Sequence, residues 1–419
     1  MANERWDFTP PPTSELGDHD VPLEGTHLSG KRVALLVTGG IAAFKAPLVA
    51  RALRRQGAEV VAFASQEALR YVTEEVLGWS TVRPVITRLT AAAEHLSDSA
   101  PFDAYLLAPA TYNSINKMRY GVADGVISSA LASALGRLAQ GRTEVLVAPT
   151  MHGSMHNEIL TESLRTLAGM GVRVIPPRED YGKHNLPPEA EIVAAVSRAV
   201  SRSPLRGRRV LVTGGPTPVP IDSVRRITNI FRGELGAWIT EELYLRGAEA
   251  LLLRGEAAYQ PPAYLPCQVV HTYDEYRSCV RSTLAEGGYQ AGIFSAAVAD
   301  YRPTAVLPGK TPSGGALTQL ELVPLPKVID EVREAFPELY MVPFKYQEGI
   351  THEELLAIAR ERLERFPAIV ANRGEERGPA GEQVAYLVPR QGEPRRLVSK
   401  PGIARGIAEH LEDVFRAKG

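Results

Sequence analysis

Arg32-Val33-Ala34-Leu35-Leu36-Val37-Thr38-Gly39-Gly40, near the start of the chain, is answered in its second half by Arg209-Val210-Leu211-Val212-Thr213-Gly214-Gly215. Each is a short β-rich run that ends in a glycine pair, the pattern of a buried parallel strand turning toward a helix. The echo continues downstream. Arg54-Arg55-Gln56-Gly57-Ala58-Glu59-Val60-Val61 and Leu245-Arg246-Gly247-Ala248-Glu249-Ala250-Leu251 both read as a helix end, a glycine cap and the next strand. Apolar runs at 104–109, 145–149 and 172–175 have counterparts at 291–296, 340–344 and 368–371, with helical patterns such as 123–138 and 353–363 between them. This alternation predicts an α/β protein of two doubly wound, Rossmann-like domains with mainly parallel sheets. One large α/β sheet is the alternative. The polar linker Ser201-Arg202-Ser203-Pro204 and the restart at Gly207 argue against it. The expected organisation is a flexible arm over 1–29, a first domain over 30–200 and a second over 206–419.

The bulk properties narrow the function. A chain of 419 residues suits two cores rather than one. Its apolar fraction of 44% and charged fraction of 23% are those of an ordinary soluble protein. A net charge of -1 offers no general attraction to nucleic acid or to an acidic membrane, so a phosphate ligand must be held locally. The apolar runs are strand-length and the first residues lack the basic start and apolar stretch of a secretion signal. Two cysteines, Cys267 and Cys279, make no disulfide framework. The expected location is the cytoplasm.

In the first half, Gly39-Gly40-Ile41-Ala42-Ala43-Phe44-Lys45 follows the first strand and opens a helix. Backbone amides freed there suit a phosphate, although a glycine turn serving packing alone fits equally well. Ala108-Pro109-Ala110-Thr111-Tyr112-Asn113-Ser114 sets hydroxyls and an amide at another strand end, where they can meet a heterocycle or a carboxylate, or cap the following helix. In the second half, the distance from opening glycine to Gly-Ala-Glu grows from 27 positions (30 to 57) to 40 (207 to 247). The extra residues, within 216–229, fall just after the first strand, where doubly wound folds bind ligands. Asn229, Arg225, Arg226 and Arg232 there suit an anionic group, or form a solvated basic loop. Ala296-Ala297-Val298-Ala299-Asp300-Tyr301 ends a strand in small residues that admit a ligand to the backbone, with Asp300 able to accept from hydroxyls. Lys310 follows in a Gly/Pro-rich loop.

These motifs together resemble two known families. Gly-Gly-Ile-Ala-Ala-Phe-Lys, His95 ahead of Asp-x-x-x-x-Ala-Pro-Ala-Thr-x-Asn, and Pro149-Thr150-Met151-His152-x-x-Met155 resemble the flavoprotein cysteine decarboxylases, phosphopantothenoylcysteine decarboxylase among them. That resemblance implies FMN at the subunit contacts of a trimer, with Gly39, Gly40, Ile41, Ser65, Thr111 and Met151 toward the flavin. It implies His95 as the active-site histidine and Asn113 on the substrate carboxylate. His152 stands where the family has asparagine. The stretch 176–186 lacks the cysteine that the family uses as a proton donor, so the closing reduction is expected to be slow or absent. The second half, through Gly215-Pro216-Thr217-x-x-Pro220-Ile221-Asp222-x-Val224-Arg225-x-Ile227-Thr228-Asn229, then Ala-Ala-Val-Ala-Asp-Tyr and Ile369-Val370-Ala371-Asn372, resembles phosphopantothenate–cysteine ligase. That implies CTP or ATP with Mg²⁺, an acyl-nucleotide intermediate and a dimeric ligase domain. Asn229 and Lys310 would act on the reacting groups; Gly215, Arg232, Asp300 and Lys345 would contact nucleotide or substrate, with no metal ligand assigned. The family's Asn-x-Ser-Ser-Gly-Lys is here Asn229-Ile230-Phe231-Arg232-Gly233-Glu234, and its Lys-Ile-Lys-Lys is Lys310-Thr311-Pro312-Ser313. The implied ligands are 4′-phosphopantothenate, cysteine and a nucleoside triphosphate, with neither nucleic acid nor membrane. The readings kept beside this one are a ligase carrying a decarboxylase-deficient FMN scaffold, and a non-enzymatic flavoprotein regulator.

Overall fold

A computed structural model describes residues 8–96, 99–310 and 320–417. Thr311, Pro312 and Ser313 lie outside them. The chain divides into two compact units at Val200–Ser201.

In the first unit the chain runs β1 (Arg32–Val37), α1 (Ala46–Arg55), β2 (Glu59–Ala64), α2 (Glu74–Thr81), β3 (Ala104–Ala110), α3 (Tyr112–Tyr120), α4 (Val126–Ala139), β4 (Glu144–Pro149), β5 (Met151–His152), α5 (Glu158–Gly169), β6 (Arg173–Val174), β7 (Arg178–Asp180), β8 (Lys183–Asn185) and α6 (Glu189–Val200). The main sheet is parallel, in the order β2-β1-β3-β4-β6. Both faces are covered, so its strands need apolar side chains on both sides. Val33, Leu35 and Val37 enter one core cluster with α1 and α6, while Ala34 and Leu36 enter the opposite one with α3 and α4. The helical pattern at 123–138 begins only at Val126. Gly121, in the left-handed region at φ 68°, ends α3, and Gly125 precedes α4. The end of the N-terminal arm is packed rather than free. Leu28 is fully buried, and the backbone of Glu24 and Leu28 donates to Arg55 O and Gln56 O. β5, β8 and β7 form a separate antiparallel sheet.

The second unit contains β9 (Arg209–Gly214), a small hairpin β10 (Val219–Pro220) and β11 (Arg226–Ile227), α7 (Glu234–Leu245), β12 (Glu249–Gly255), β13 (Cys267–Val270), α8 (Tyr273–Ala285), β14 (Tyr289–Phe294), β15 (Tyr301–Pro303), β16 (Leu322–Pro324), α9 (Val328–Ala335), β17 (Tyr340–Gln347), α10 (His352–Arg362), β18 (Ala368–Arg373), β19 (Val384–Pro389), β20 (Arg395–Val398) and α11 (Lys400–Ala417). Its main sheet is ordered β13-β12-β9-β14-β17-β18-β19-β20, parallel as far as β18. β19 and β20 turn back antiparallel, as short connections without a crossover helix require. The residues inserted after β9 fold as the β10–β11 hairpin, inside which buried Asp222 accepts from the Val224 and Arg225 amides and from the Arg225 guanidinium. Thr351 and Glu354 cap α10 reciprocally, which fixes its start one residue ahead of the helical pattern.

Candidate functional site

In the first unit β1 has β2 on one side and β3 on the other, and in the second β9 has β12, with β13 beyond it, on one side and β14 on the other, so in both the connections leave the first strand in opposite directions. A crevice opens at the carboxyl ends at that switch point. In the first unit it lies between β1 and β3. A cavity of about 1240 Å³ opens there. Its wall takes residues from the ends of β1 (Thr38 to Ala42), β2 (Ser65 to Glu67), β3 (Pro109 and Thr111 to Ser114) and β4 (Thr150, Met151).

Thr38 is buried, and its hydroxyl donates to Pro109 O at 2.7 Å, tying the first glycine turn to the second strand end. Gly39 cannot carry a side chain where it stands, since a Cβ would lie 2.3 Å from Glu67 Cβ. At Gly39 the backbone itself therefore forms the cavity wall, whereas a Cβ at Gly40 would meet only Thr111 Cγ2, at 3.4 Å. Thr111 caps α3 by accepting from Ser114 N at 3.4 Å, and its hydroxyl also meets Ser114 Oγ at 3.1 Å. Capping and cavity lining are thus the work of one residue. Ser65 Oγ accepts from Ala68 N at 3.1 Å and likewise faces the cavity. Asn113 is exposed on the same wall.

Gly39, Gly40, Ile41, Ser65, Thr111, Met151 and Asn113 are therefore brought together. His95 is not among the residues that line the cavity. It sits in the turns of residues 90–96, which lead from the rim at Thr87 to Leu89 toward the start of β3, and its Nδ1 is buried without a hydrogen bond. Other lining residues carried no signal in the motifs. Lys117 pairs with Asp124 at 2.6 Å, and Ser128 and Ser129 open α4. The β7–β8 hairpin contributes Lys183, His184 and Asn185; Arg178 and Tyr181 are not in the wall. His152 lines it too, its Nδ1 held by Ser154 N at 3.2 Å and Ser154 Oγ at 2.8 Å. The size, the hydroxyl groups and the bare backbone of the glycines fit a flavin and its phosphate.

The second unit's crevice lies between β9 and β14. Gly215, at φ +72°, passes so close to β12 that a Cβ would lie 2.9 Å from Gly255 O, and Gly233, at φ +77°, would strike Gly215 Cα at 2.9 Å. Three backbone segments meet there only because these positions are glycine. Asn229 donates through Nδ2 to Ala297 O at 2.9 Å, and Ala299 N donates to Thr217 Oγ1 at 2.9 Å. The inserted segment and the Ala-Ala-Val-Ala-Asp strand end are thereby joined across the switch point.

Asp300 is exposed and paired with Lys327, a residue that no motif marked. Lys345, on β17, has its pKa pushed down, first by burial and then by Arg362 and Lys327, with Asp300 opposing. Asp300, Lys327 and Lys345 thus form one electrostatic group. Lys310 and Arg232 are exposed; the carbonyl of Gly309, next to Lys310, accepts from Ser223 N at 3.3 Å, which ties that loop to the inserted segment. Arg225, by contrast, is committed to buried Asp222. Phe231 packs edge-to-face on Tyr346, with centroids 5.5 Å apart. Among the described residues no group of three or more His, Cys, Asp or Glu side chains is placed to hold a metal ion, and no helix is long and apolar enough to cross a membrane.

Two crevices of this kind, on successive doubly wound units, define a two-domain α/β nucleotide- or cofactor-binding protein. The family of flavoproteins matches residues 23–201, and the C-terminal domain of DNA/pantothenate metabolism flavoproteins matches residues 205–414. A coenzyme A biosynthesis bifunctional protein CoaBC of Thermococcus kodakarensis is 36% identical over 82% of this chain and 86% of its own length. Those of Methanocaldococcus jannaschii and Bacillus subtilis are each 27% identical over 94% of this chain, and over 97% and 99% of their own. The chain belongs to this family of bifunctional coenzyme A biosynthesis proteins, a flavoprotein domain followed by the pantothenate-metabolism domain.

Proposed function

We propose that the chain performs two steps of coenzyme A synthesis: ligation of cysteine to 4′-phosphopantothenate in the second unit, and FMN-dependent decarboxylation of the phosphopantothenoylcysteine so formed in the first. The observation that carries this is the pair of glycine-walled crevices, each at the switch point of its own sheet. Family membership gives the order of the two.

In the ligase unit the carboxylate of 4′-phosphopantothenate attacks the α-phosphate of CTP or ATP, and pyrophosphate leaves. The amine of cysteine then displaces the nucleotide from the acyl group. Asn229, fixed by Ala297 O, positions the acyl intermediate. The Gly215 turn admits phosphate to the backbone, and Asp300 takes the nucleotide's hydroxyl groups after exchanging its contact with Lys327. Lys345, Lys310 and Arg232 supply positive charge where negative charge gathers on the phosphates. Mg²⁺ enters with the triphosphate, since it keeps several waters and binds largely through substrate phosphates.

In the flavin unit, Gly39, Gly40, Ile41, Ser65, Thr111 and Met151 would hold FMN, which supplies reversible two-electron oxidation of the substrate's thiol-bearing carbon. Asn113 orients the carboxylate that is lost. His95 serves the same reaction in the family pattern, and its place outside the lining fits a cavity completed by a second copy of the chain, in trimeric flavin and dimeric ligase contacts. These reactions place the protein in the cytoplasm. A decarboxylase-deficient scaffold and a non-enzymatic regulator are less well supported, because the relatives described above are bifunctional biosynthetic proteins.

The test is the mass of the products formed by the purified protein from 4′-phosphopantothenate, cysteine, Mg²⁺ and CTP or ATP. Phosphopantothenoylcysteine followed by its CO₂-loss product is expected. Absence of the amide with either nucleotide would refute the ligase assignment.

A further inference from the structure

The segment that carries Asn229 is lightly held. Residues 229–232 belong to no helix or strand, and among the described residues no backbone–backbone hydrogen bond ties them to a turn or to another loop. Two side chains anchor them instead. Asn229 donates through Nδ2 to Ala297 O at 2.9 Å, with Val298 O at 3.5 Å, beyond the end of β14. Phe231 reaches one strand farther and packs on Tyr346, near the end of β17, with the ring planes 80° apart. Ile230, between the two anchors, is 93% exposed, and Arg232 after them is exposed as well.

Strand spacing shows why the second anchor is an aromatic ring. Gly233 stands against Gly215, just past the end of β9. β17 lies two strands from β9 in the sheet, about 10 Å away. The chain from Gly233 back to Phe231 spans at most about 7 Å. The side chains of Phe231 and Tyr346 cover the rest, which a short side chain at residue 231 would not reach. Tyr346 is braced in turn. Its hydroxyl donates to Glu348, a Cβ at Gly374 would collide with that hydroxyl, and Gly374 N donates to Gln347 O at 3.1 Å. Phe231 stays 47% exposed and Tyr346 37%, and neither ring belongs to a core cluster of the unit, so their contact opens without disturbing the core.

We infer that Phe231 and Tyr346 are positioning residues of the ligase unit: a two-ring latch that holds the inserted segment closed over the end of β14, and with it Asn229 and Arg232, which flank Phe231. This rests on the ligase reading given above. Neither ring touches the reacting atoms. With the latch open, only the Asn229 side chain tethers the segment, and the fraction of molecules with both residues in place falls. An edge-to-face pair shifts such an equilibrium by about 2- to 12-fold beyond the effect of the area it covers. Gly215, Asp300 and Lys345 lie outside the segment, so the nucleotide keeps those contacts whether the latch is open or closed.

The test is a double-mutant cycle in the full chain, with 4′-phosphopantothenate, cysteine, Mg²⁺ and CTP or ATP. Phe231→Ala should lower kcat for amide formation by about 10-fold, while KM for the nucleotide stays within about twofold. Tyr346→Ala should do the same, and the two together should fall no further than the worse single variant. Phe231→Tyr, which keeps the ring, should return kcat to within about threefold of wild type. Losses that multiply in the double variant overturn the latch. A raised KM with unchanged kcat also overturns it, because Phe231 would then be a nucleotide contact. Trypsin gives a readout independent of activity. Cleavage after exposed Arg232, followed by fragment mass, should speed up by about 10-fold in each alanine variant, since it tracks the open population. Equal cleavage in all forms would show that the rings do not hold the segment. A wild-type protein that makes no amide would overturn the ligase reading and the catalytic part of this inference, and the cleavage rates would still decide whether the latch exists.

Discussion

Gly39→Ala tests whether the glycine turn and the Ser65–Glu67 loop together form the flavin wall. A Cβ at residue 39 would lie 2.3 Å from Glu67 Cβ, 3.1 Å from its carbonyl carbon and 3.2 Å from its Cα. Ordinary carbon contacts begin near 3.5 Å, so the two segments must part by about 1.2 Å along the closest line. The neighbour is largely backbone, and rotating a side chain away cannot relieve the clash. Both segments line the cavity, so the relief comes from one edge of the wall moving out of place. Overpacking of this kind costs about 1–3 kcal/mol. If the flavin-free loop relaxes outward and must be drawn back when FMN binds, that cost appears as an affinity lowered by about 5- to 150-fold. The assay is quenching of FMN fluorescence on titration with flavin-free protein, beside the melting curve of each form. The ligase rate is the internal control, since residue 39 belongs to the other unit. An affinity equal to wild type, with unchanged melting, would refute the argument that these two segments grip the flavin.

The wild-type protein should purify yellow, and a colourless preparation that fails to bind added FMN would remove the flavin from the first unit. Lys310→Gln should lower amide synthesis by about two to three orders of magnitude while leaving flavin content unchanged; near-normal turnover would take Lys310 out of the site. The Glu331 carboxyl is held below its ordinary pKa of 4.5, chiefly by its hydrogen bonds from Arg277. A depressed folded-state value contributes stability that is present above pH 4.5 and disappears as the pH falls through the lowered value. Denaturant midpoints of wild type and Glu331→Gln should therefore converge on acidification, and a constant gap down to pH 3 would contradict the pairing.

The strands that open each unit were legible because a parallel strand buried on both faces must be written in consecutive apolar residues, and Val33 to Val37 and Val210 to Val212 are so written. The glycine pairs were legible for a related reason: backbone that must bend sharply or touch other backbone excludes a Cβ, as Gly215 does against Gly255. Periodicity and turn chemistry act over a few residues, and the chain carries them openly. The cavity wall does not follow from such local signals. Asn229 finds Ala297 68 positions away, Lys327 meets Asp300 across 27, and His184 meets His156 across 28. His95, close in sequence to residues that line the cavity, stands outside it. Each outcome depends on which strands lie beside one another and on which side each crossover returns. Strand order is set by how whole cores close, through contacts between residues far apart in the chain, and only the tertiary structure decides it.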